Sequence, residues 1–224
     1  ATFFVPQNYD GEVQQLVLTN ESNSAKTFKL WSFAEWCLWD AQDDCTNFQR
    51  NFSTGRVEVV GSTIYHKTEY RERRNHYALF TVNTPIDGFD TSRDAFLGAW
   101  HSNANPEVVE NGRCTNSVAH GWAPVGVHQV NVTLQPGKSR SLIFVLGYIE
   151  NPEDEKWAAP GVINKTRAQA MPAMPRMRRS MRHLPGCTTT GTTCCPPTRS
   201  RAAMKSSTAW SIPGTSTSAW SPST

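Results

Sequence analysis

Val130-Asn131-Val132-Thr133-Leu134-Gln135-Pro136-Gly137-Lys138-Ser139-Arg140-Ser141-Leu142-Ile143-Phe144-Val145-Leu146-Gly147-Tyr148 is the stretch that decides the fold class. Val130, Val132 and Leu134 alternate with polar residues, the period of a strand with one buried face. Gln135-Pro136-Gly137-Lys138 is a turn. The chain returns through residues 142–148, where Leu142-Ile143-Phe144-Val145 is an unbroken apolar run. Such a run predicts a strand covered on both faces. The expectation is a β-hairpin.

The same pattern extends outward. In residues 13–19, Leu16 and Leu18 share one face; residues 20–26 are polar turn residues; Phe28, Leu30, Ser32 and Ala34 then alternate with Trp31 and Phe33. A second hairpin is expected there. Residues 56–70 read as a strand region interrupted by a turn or bulge at Gly61-Ser62, and residues 77–82 as a further strand ending before Pro85. No segment before residue 150 shows sustained helical periodicity with caps. Several strands at turn-separated intervals predict an all-β, antiparallel sandwich over residues 1–150. Residues 151–156 are a polar linker, and residues 162–170 are compatible with the start of a helix.

Composition divides the chain. Residues 168–224 contain no Asp or Glu but seven basic residues (Arg176, Arg178, Arg179, Arg182, Arg199, Arg201 and Lys205) and all five methionines. The remaining 15 Lys and Arg stand against all 19 Asp and Glu in residues 1–167, so the net charge of +3 belongs to the tail. A body without a basic stripe argues against nucleic-acid binding, and no run of 18 apolar residues argues for a membrane span. Ala1 opens inside an expected strand, Thr2-Phe3-Phe4-Val5, which reads as a fragment. Cys37, Cys45 and Cys114 in the body cannot all pair with one another. They read as free thiols of a reducing compartment, so a cytoplasmic location is expected. Cys37 and Cys45 lack metal-ligand spacing, and no metal is expected. The sequons at Asn20, Asn51, Asn131 and Asn164 read as chance.

Several long strings carry a resemblance. They are Cys37-Leu38-Trp39-Asp40-Ala41-Gln42-Asp43-Asp44-Cys45-Thr46-Asn47-Phe48-Gln49-Arg50-Asn51-Phe52-Ser53-Thr54-Gly55, the run from Gly61 to Tyr77, Gly88-Phe89-Asp90-Thr91-Ser92-Arg93-Asp94-Ala95-Phe96-Leu97-Gly98, Asn116-Ser117-Val118-Ala119-His120-Gly121-Trp122-Ala123-Pro124, and residues 143–156. In this order they resemble the cellobiose phosphorylase family, glycoside hydrolase family 94. The resemblance implies a β super-sandwich (here its later part, truncated on the N-terminal side), then the start of a helical linker at residues 151–170. It also implies a following (α/α)6 barrel, absent from this chain.

Residues 171–224 read as a frame-shifted tail. With one choice of codons, residues 191–196 read one base earlier as WDDLLS, residues 203–210 as GDEKLDRM and residues 214–224 as WNQYQCMVTFN. These strings resemble the family's linker and barrel entry. On this reading Cys194-Cys195, Trp210 and the arginine cluster carry no selected chemistry. Few aliphatic residues and much Ser, Thr and Pro predict a disordered tail.

The resemblance also implies a reaction: inverting phosphorolysis of cellobiose or a related disaccharide, with inorganic phosphate as co-substrate and no cofactor. Its general acid, an Asp, is expected in the barrel, so no catalytic residue is assigned here. Asp43 and Asp44 are read as structural. In the resemblance the family's homodimer brings a loop to the partner's active site, where Gln49 and Arg50 contact the acceptor sugar at subsite +1. Gln offers a donor and an acceptor to a diol and Arg a forked donor; the competing reading makes Arg50 a surface ion-pairing residue. Arg71-Glu72-Arg73-Arg74 with His66 and His76 read as a solvated or interdomain charge network. Trp36, Trp39, Trp100 and Trp122 read as core, with sugar stacking as the alternative. The expected partner is carbohydrate. A free-standing carbohydrate-binding module is the competing function, disfavoured by the enzyme-like strings in the shifted tail.

Overall fold

The computed structural model describes residues 1–6, 10–36, 38, 55–68, 74–119, 121, 124–170 and 198–199. Among these, β1 (Thr2–Phe4), β2 (Gly11–Thr19), β4 (Gly55–Val60), β5 (Thr63–Thr68), β6 (His76–Val82), β9 (Ser139–Glu150) and β12 (Thr198–Arg199) form one sheet in the order β12-β1-β2-β9-β6-β5-β4. A second sheet orders β3 (Lys26–Glu35), β8 (Pro124–Leu134) and β7 (Gly88–Ser92) as β3-β8-β7. Neighbouring strands within each sheet pair antiparallel. The fold is therefore the expected all-β sandwich. Before residue 150 the described helices are two short ones, α1 (Arg93–Leu97) and α2 (Glu107–Glu110).

Neither of the two expected hairpins involving β2–β3 and β8–β9 forms. β8 pairs with β3 over ten positions, from Lys26↔Leu134 to Glu35↔Val125. β9 pairs instead with β2, from Gly11↔Gly147 to Thr19↔Ser139, and with β6 on its other side. Both connections are arches that carry the chain from one sheet to the other. The Pro-Gly turn itself is as read: Lys138 N donates to Gln135 O at 3.1 Å, and Gly137 has φ 69°.

What overrides the hairpins is Asn20, at 6% exposure. Its backbone N–H donates to Lys138 O and its carbonyl accepts from Gly137 N at 2.8 Å. Its side-chain amide donates to Leu134 O at 2.8 Å and to Ser24 O at 2.9 Å, while Oδ1 accepts from Ser22 N and Ser22 Oγ. Polar groups at both ends of the 135–138 turn thus bond to the neighbouring arch. With both amide hydrogens engaged, the Asn20 sequon is closed in the folded protein.

Burial follows the pleat. The core between the sheets takes Leu30, Ala34, Val130, Val132 and Leu134 from the smaller sheet, and Val57, Ile64, Ala78, Phe80, Val82, Leu142 and Phe144 from the larger. Alternate positions pack outward. Ile143 and Val145 join Val13 and Phe4 on the far face of the larger sheet, so residues 142–145 are buried on both faces, as their sequence requires. The far face also carries Tyr65, Tyr77, Leu79 and Ile149, packed with Ile163, Trp157 and Ala168. These last three come from β10 (Trp157–Ala159), β11 (Val162–Ile163) and α3 (Thr166–Ala170). Residues 162–163, compatible in sequence with a helix start, are thus a strand, and the helix begins at Thr166. On the smaller sheet's outer face, Trp31, Val125 and Val127 meet Phe96, Leu97 and Val108 of α1 and α2.

Gly61 and Ser62 close β4 onto β5 as a two-residue turn with Gly61 at φ 58°. Of the residues expected to form a disordered tail, only Thr198 and Arg199 are described. Their backbones pair with β1.

Asn20→Ala removes two buried donors and strands the Leu134 carbonyl. The expected loss is about 2–3 kcal/mol of stability, seen as a lower urea midpoint at unchanged slope. A shift within experimental error would show that the arches hold without it.

Candidate functional site

Gln49 and Arg50 lie in sequence between β3 and β4. β3 ends at Glu35 in the smaller sheet, whereas β4 opens at Gly55 on the outermost described strand of the larger. The registers Glu35↔Val125 and Gly55↔Thr68 put both strand ends away from the arches. Just after β3, Trp36 and Leu38 are buried in the inner core. The Arg93–Glu35 ion pair, 2.9 Å between Nε and Oε1, ties α1 to the same end. Gln49, Arg50, Asp43, Asp44, Trp39, Trp122, Cys37 and Cys45 lie outside the described residues, as do Arg71, Glu72 and Arg73.

The histidines depart from the expected charge network. His66 and His76 are buried, at 0% and 1% exposure. His66 lies against Trp36, with ring centroids 5.7 Å apart. Burial, reinforced by His76 and Lys67, pushes it down to about 3. His76 Nδ1 lies 3.0 Å from Tyr148 Oη, which donates to Glu150 Oε1 at 2.7 Å. His128, opposite Ser32, is a third buried imidazole: Nδ1 is 2.9 Å from Ser32 Oγ, the Phe80 ring 4.8 Å away. Burial holds it at about 3 as well. Sequence reading gave no role to His128; alternation along β8 is the signal that places it inward.

Asp90 is fully buried on β7 and has the look of a catalytic carboxylate. Its environment says otherwise. It accepts from Thr115 N, Thr115 Oγ1, Ser117 N and Ser117 Oγ, with the two hydroxyls at 2.5 and 2.6 Å. Thr91 reinforces this by donating to Ser117 O and accepting from Ala119 N. Asp90 is a clamp for residues 115–119: Oδ1 takes both hydroxyls and the Ser117 amide, Oδ2 takes the Thr115 amide, and the carboxylate has no exposure to solvent. Cys114 is buried beside it, and burial with the Asp90 charge pushes the thiol up, away from nucleophilic use. Buried Lys67 donates to the Arg74 carbonyl and stands 4.7 Å over the Trp157 ring. Among the described residues no group of three His, Cys, Asp or Glu is placed to hold a metal.

The tryptophans split. Trp36 is core, as expected, but Trp100 is not: it is fully exposed and its backbone is left-handed at φ 67°.

Residues 1–170 match the supersandwich domain of glycosyl hydrolase 94. The chain belongs to this family. It is 34% identical over 150 residues to the N,N'-diacetylchitobiose phosphorylase of Vibrio proteolyticus, covering 65% of this chain and 18% of that protein. It is 30% identical over 150 residues to the corresponding Vibrio furnissii enzyme, with the same coverage. Solabiose phosphorylase of Paenibacillus borealis is 25% identical over 178 residues, 76% of this chain and 23% of that protein. The chain thus spans about a fifth of the length of the curated relatives it matches.

Within this supersandwich domain two outcomes test the assignments. Asp90→Ala leaves two backbone N–H groups and two hydroxyls without their acceptor. It should cost about 3–5 kcal/mol of stability, the scale of a broken buried charged network. A near-neutral unfolding midpoint would show that the carboxylate is not the clamp. The second is pH dependence. His66 and His128 stay neutral when folded but take up protons near the ordinary 6.5 when unfolded. Their contribution is complete above about 6.5 and is lost as pH falls toward 3. Stability should therefore fall over that window, and His128→Gln should lower the proton uptake on unfolding by up to one. An unchanged uptake would refute the neutral assignment.

Proposed function

We propose that this chain supplies the sandwich domain of a disaccharide phosphorylase that cleaves cellobiose or a related β-glucoside with inversion. The observation that carries the reading is the supersandwich match over residues 1–170 together with relatives that are disaccharide phosphorylases. Phosphate attacks the anomeric carbon, the glycosidic bond breaks, and a general acid protonates the leaving oxygen to give glucose 1-phosphate and a free sugar. One carboxylic acid suffices, since phosphate is itself the nucleophile and needs no general base. That acid is placed in a barrel outside this chain. Asp90, fully buried and engaged by four donors, is no candidate.

In the same reading the domain serves a homodimer. Gln49 and Arg50 contact the acceptor sugar at subsite +1, across to the partner's active site. In sequence they lie between β3 of the smaller sheet and β4 of the larger, after the buried Trp36. Residues 171–224 are read out of frame; the family match stops at residue 170. No cofactor is invoked, and the location proposed is cytoplasmic.

In a full-length enzyme bearing this domain, Arg50→Ala should lower kcat/KM for the acceptor sugar roughly 10- to 150-fold, the value of a charge-assisted hydrogen bond. Handling of glucose 1-phosphate should be nearly intact. Mixing Arg50→Ala with a barrel-inactive variant should restore activity in heterodimers. Unchanged acceptor kinetics would return Arg50 to the surface-charge reading, and failure of complementation would place the loop in its own subunit. The chain as given should release no glucose 1-phosphate from cellobiose and phosphate.

A further inference from the structure

The excursion from β7 to β8 covers the outer face of the smaller sheet and encloses an open cavity of about 900 Å³. Its lining includes Asp94, Gly98, Glu107, Asn111, Arg113 and Asn116. We propose that this cavity, together with Trp100, which follows its lining residues Gly98 and Ala99 in the chain, binds a pyranose ring of a neutral oligosaccharide.

Three observations converge. First, Trp100 directly follows the lining residues Gly98 and Ala99, and its ring stands wholly in solvent while its backbone is held at φ 67°. A fully exposed indole contributes nothing to the core, and bulky residues held at positive φ cluster at binding sites. Secondly, the side chains of Asp94, Glu107, Asn111 and Arg113 make no hydrogen bond or ion pair among the described residues, and Asn116 uses only Oδ1, which accepts from Phe89 N. Four uncommitted polar groups at one concavity are what the hydroxyls of a sugar use, since each hydroxyl both donates and accepts. The indole face matches the apolar C–H face of the same ring. One Arg against two carboxylates disfavours an anionic ligand.

Thirdly, the frame is fixed. Asp90 clamps Thr115 and Ser117, Gln129 Oε1 accepts from Cys114 N at 2.7 Å, and Phe96, Leu97 and Val108 are anchored in the outer core. Gly98, at φ 82°, is needed where it stands: a Cβ there would lie 2.1 Å from Glu107 Oε2. A preorganised lining lowers the ordering cost of binding. The proposal concerns residues 94–116 and is independent of the roles given to Gln49 and Arg50.

The test titrates the full chain with glucose, cellobiose and cellotetraose, read by calorimetry and by backbone amide chemical shifts. Saturable binding of cellobiose or cellotetraose at around millimolar affinity, with shifts centred on residues 94–116, is the expected result. Trp100→Ala and Asn111→Ala should each weaken it at least tenfold at unchanged melting temperature. Should either variant fold poorly, Trp100→Phe, which keeps an aromatic face, should retain most of the binding. Three results would overturn the proposal: no shift at residues 94–116 with any of the three sugars, binding unaffected by Trp100→Ala, or concentration-dependent self-association abolished by that variant. Acceptor kinetics of Arg50 variants bear on the earlier reading alone.

Discussion

The crossing of two chain segments at Asn20 is the constraint on which the molecule rests. β2 and β3 lie in different sheets, and so do β8 and β9, yet each pair is joined by a short connection. The two connections lie side by side at one end, and each leaves backbone donors and acceptors that its own strands cannot satisfy. Asn20 meets them with backbone and side chain together. Once the arches are paired, β2 falls beside β9 and β3 beside β8, and the interval between the sheets is set. Buried backbone groups must find partners, and here a single residue closes that account for both turns.

Placing β9 between β2 and β6 has a further effect. A strand with neighbours on both sides and side chains on both faces has no solvent-facing surface, which is why residues 142–145 are apolar without a break. The outer faces must then be covered in turn. Two additions do this, α1 with α2 over the smaller sheet and the β10–β11 hairpin with α3 over the larger. The sandwich is thus four layers deep where these additions lie. Among the buried polar residues, Asp90 serves as an acceptor for four donors, and His66 and His128 are neutral rings packed in tilted contact with aromatics. Close packing at this depth shows at Gly126, where an added Cβ would meet the Trp36 ring at 2.9 Å and Phe80 at 3.1 Å.

Strand positions, the Gly61-Ser62 turn and the doubly buried run were legible because pleat period and turn chemistry are local. Strand partners were not. A Pro-Gly turn after an alternating run looks the same in a hairpin and in an arch, and the deciding residue, Asn20, lies 114 residues before Leu134 in the chain. The proposed acceptor site rests on likeness to a family alone, since Gln49 and Arg50 have no periodicity or spacing that singles them out. Trp100 was misread for a related reason. Aromatic residues are usually buried, and nothing in Gly98-Ala99-Trp100-His101 announces a left-handed backbone at a bulky residue. Asp90 was passed over because saturation by Thr115 and Ser117 exists only once β7 and the later segment meet.

The register between β2 and β9 carries a consequence in time. Gly11 pairs with Gly147 and Thr19 with Ser139, so the central ladder of the larger sheet joins strands more than a hundred residues apart in the chain. Such non-local topologies fold slowly, because the loop-closure entropy is spent before the contacts that reward it can form. During synthesis β2 waits with one edge open until more than a hundred further residues have emerged. Glu12 puts a charge on that waiting strand, a feature that disfavours pairing with another nascent chain.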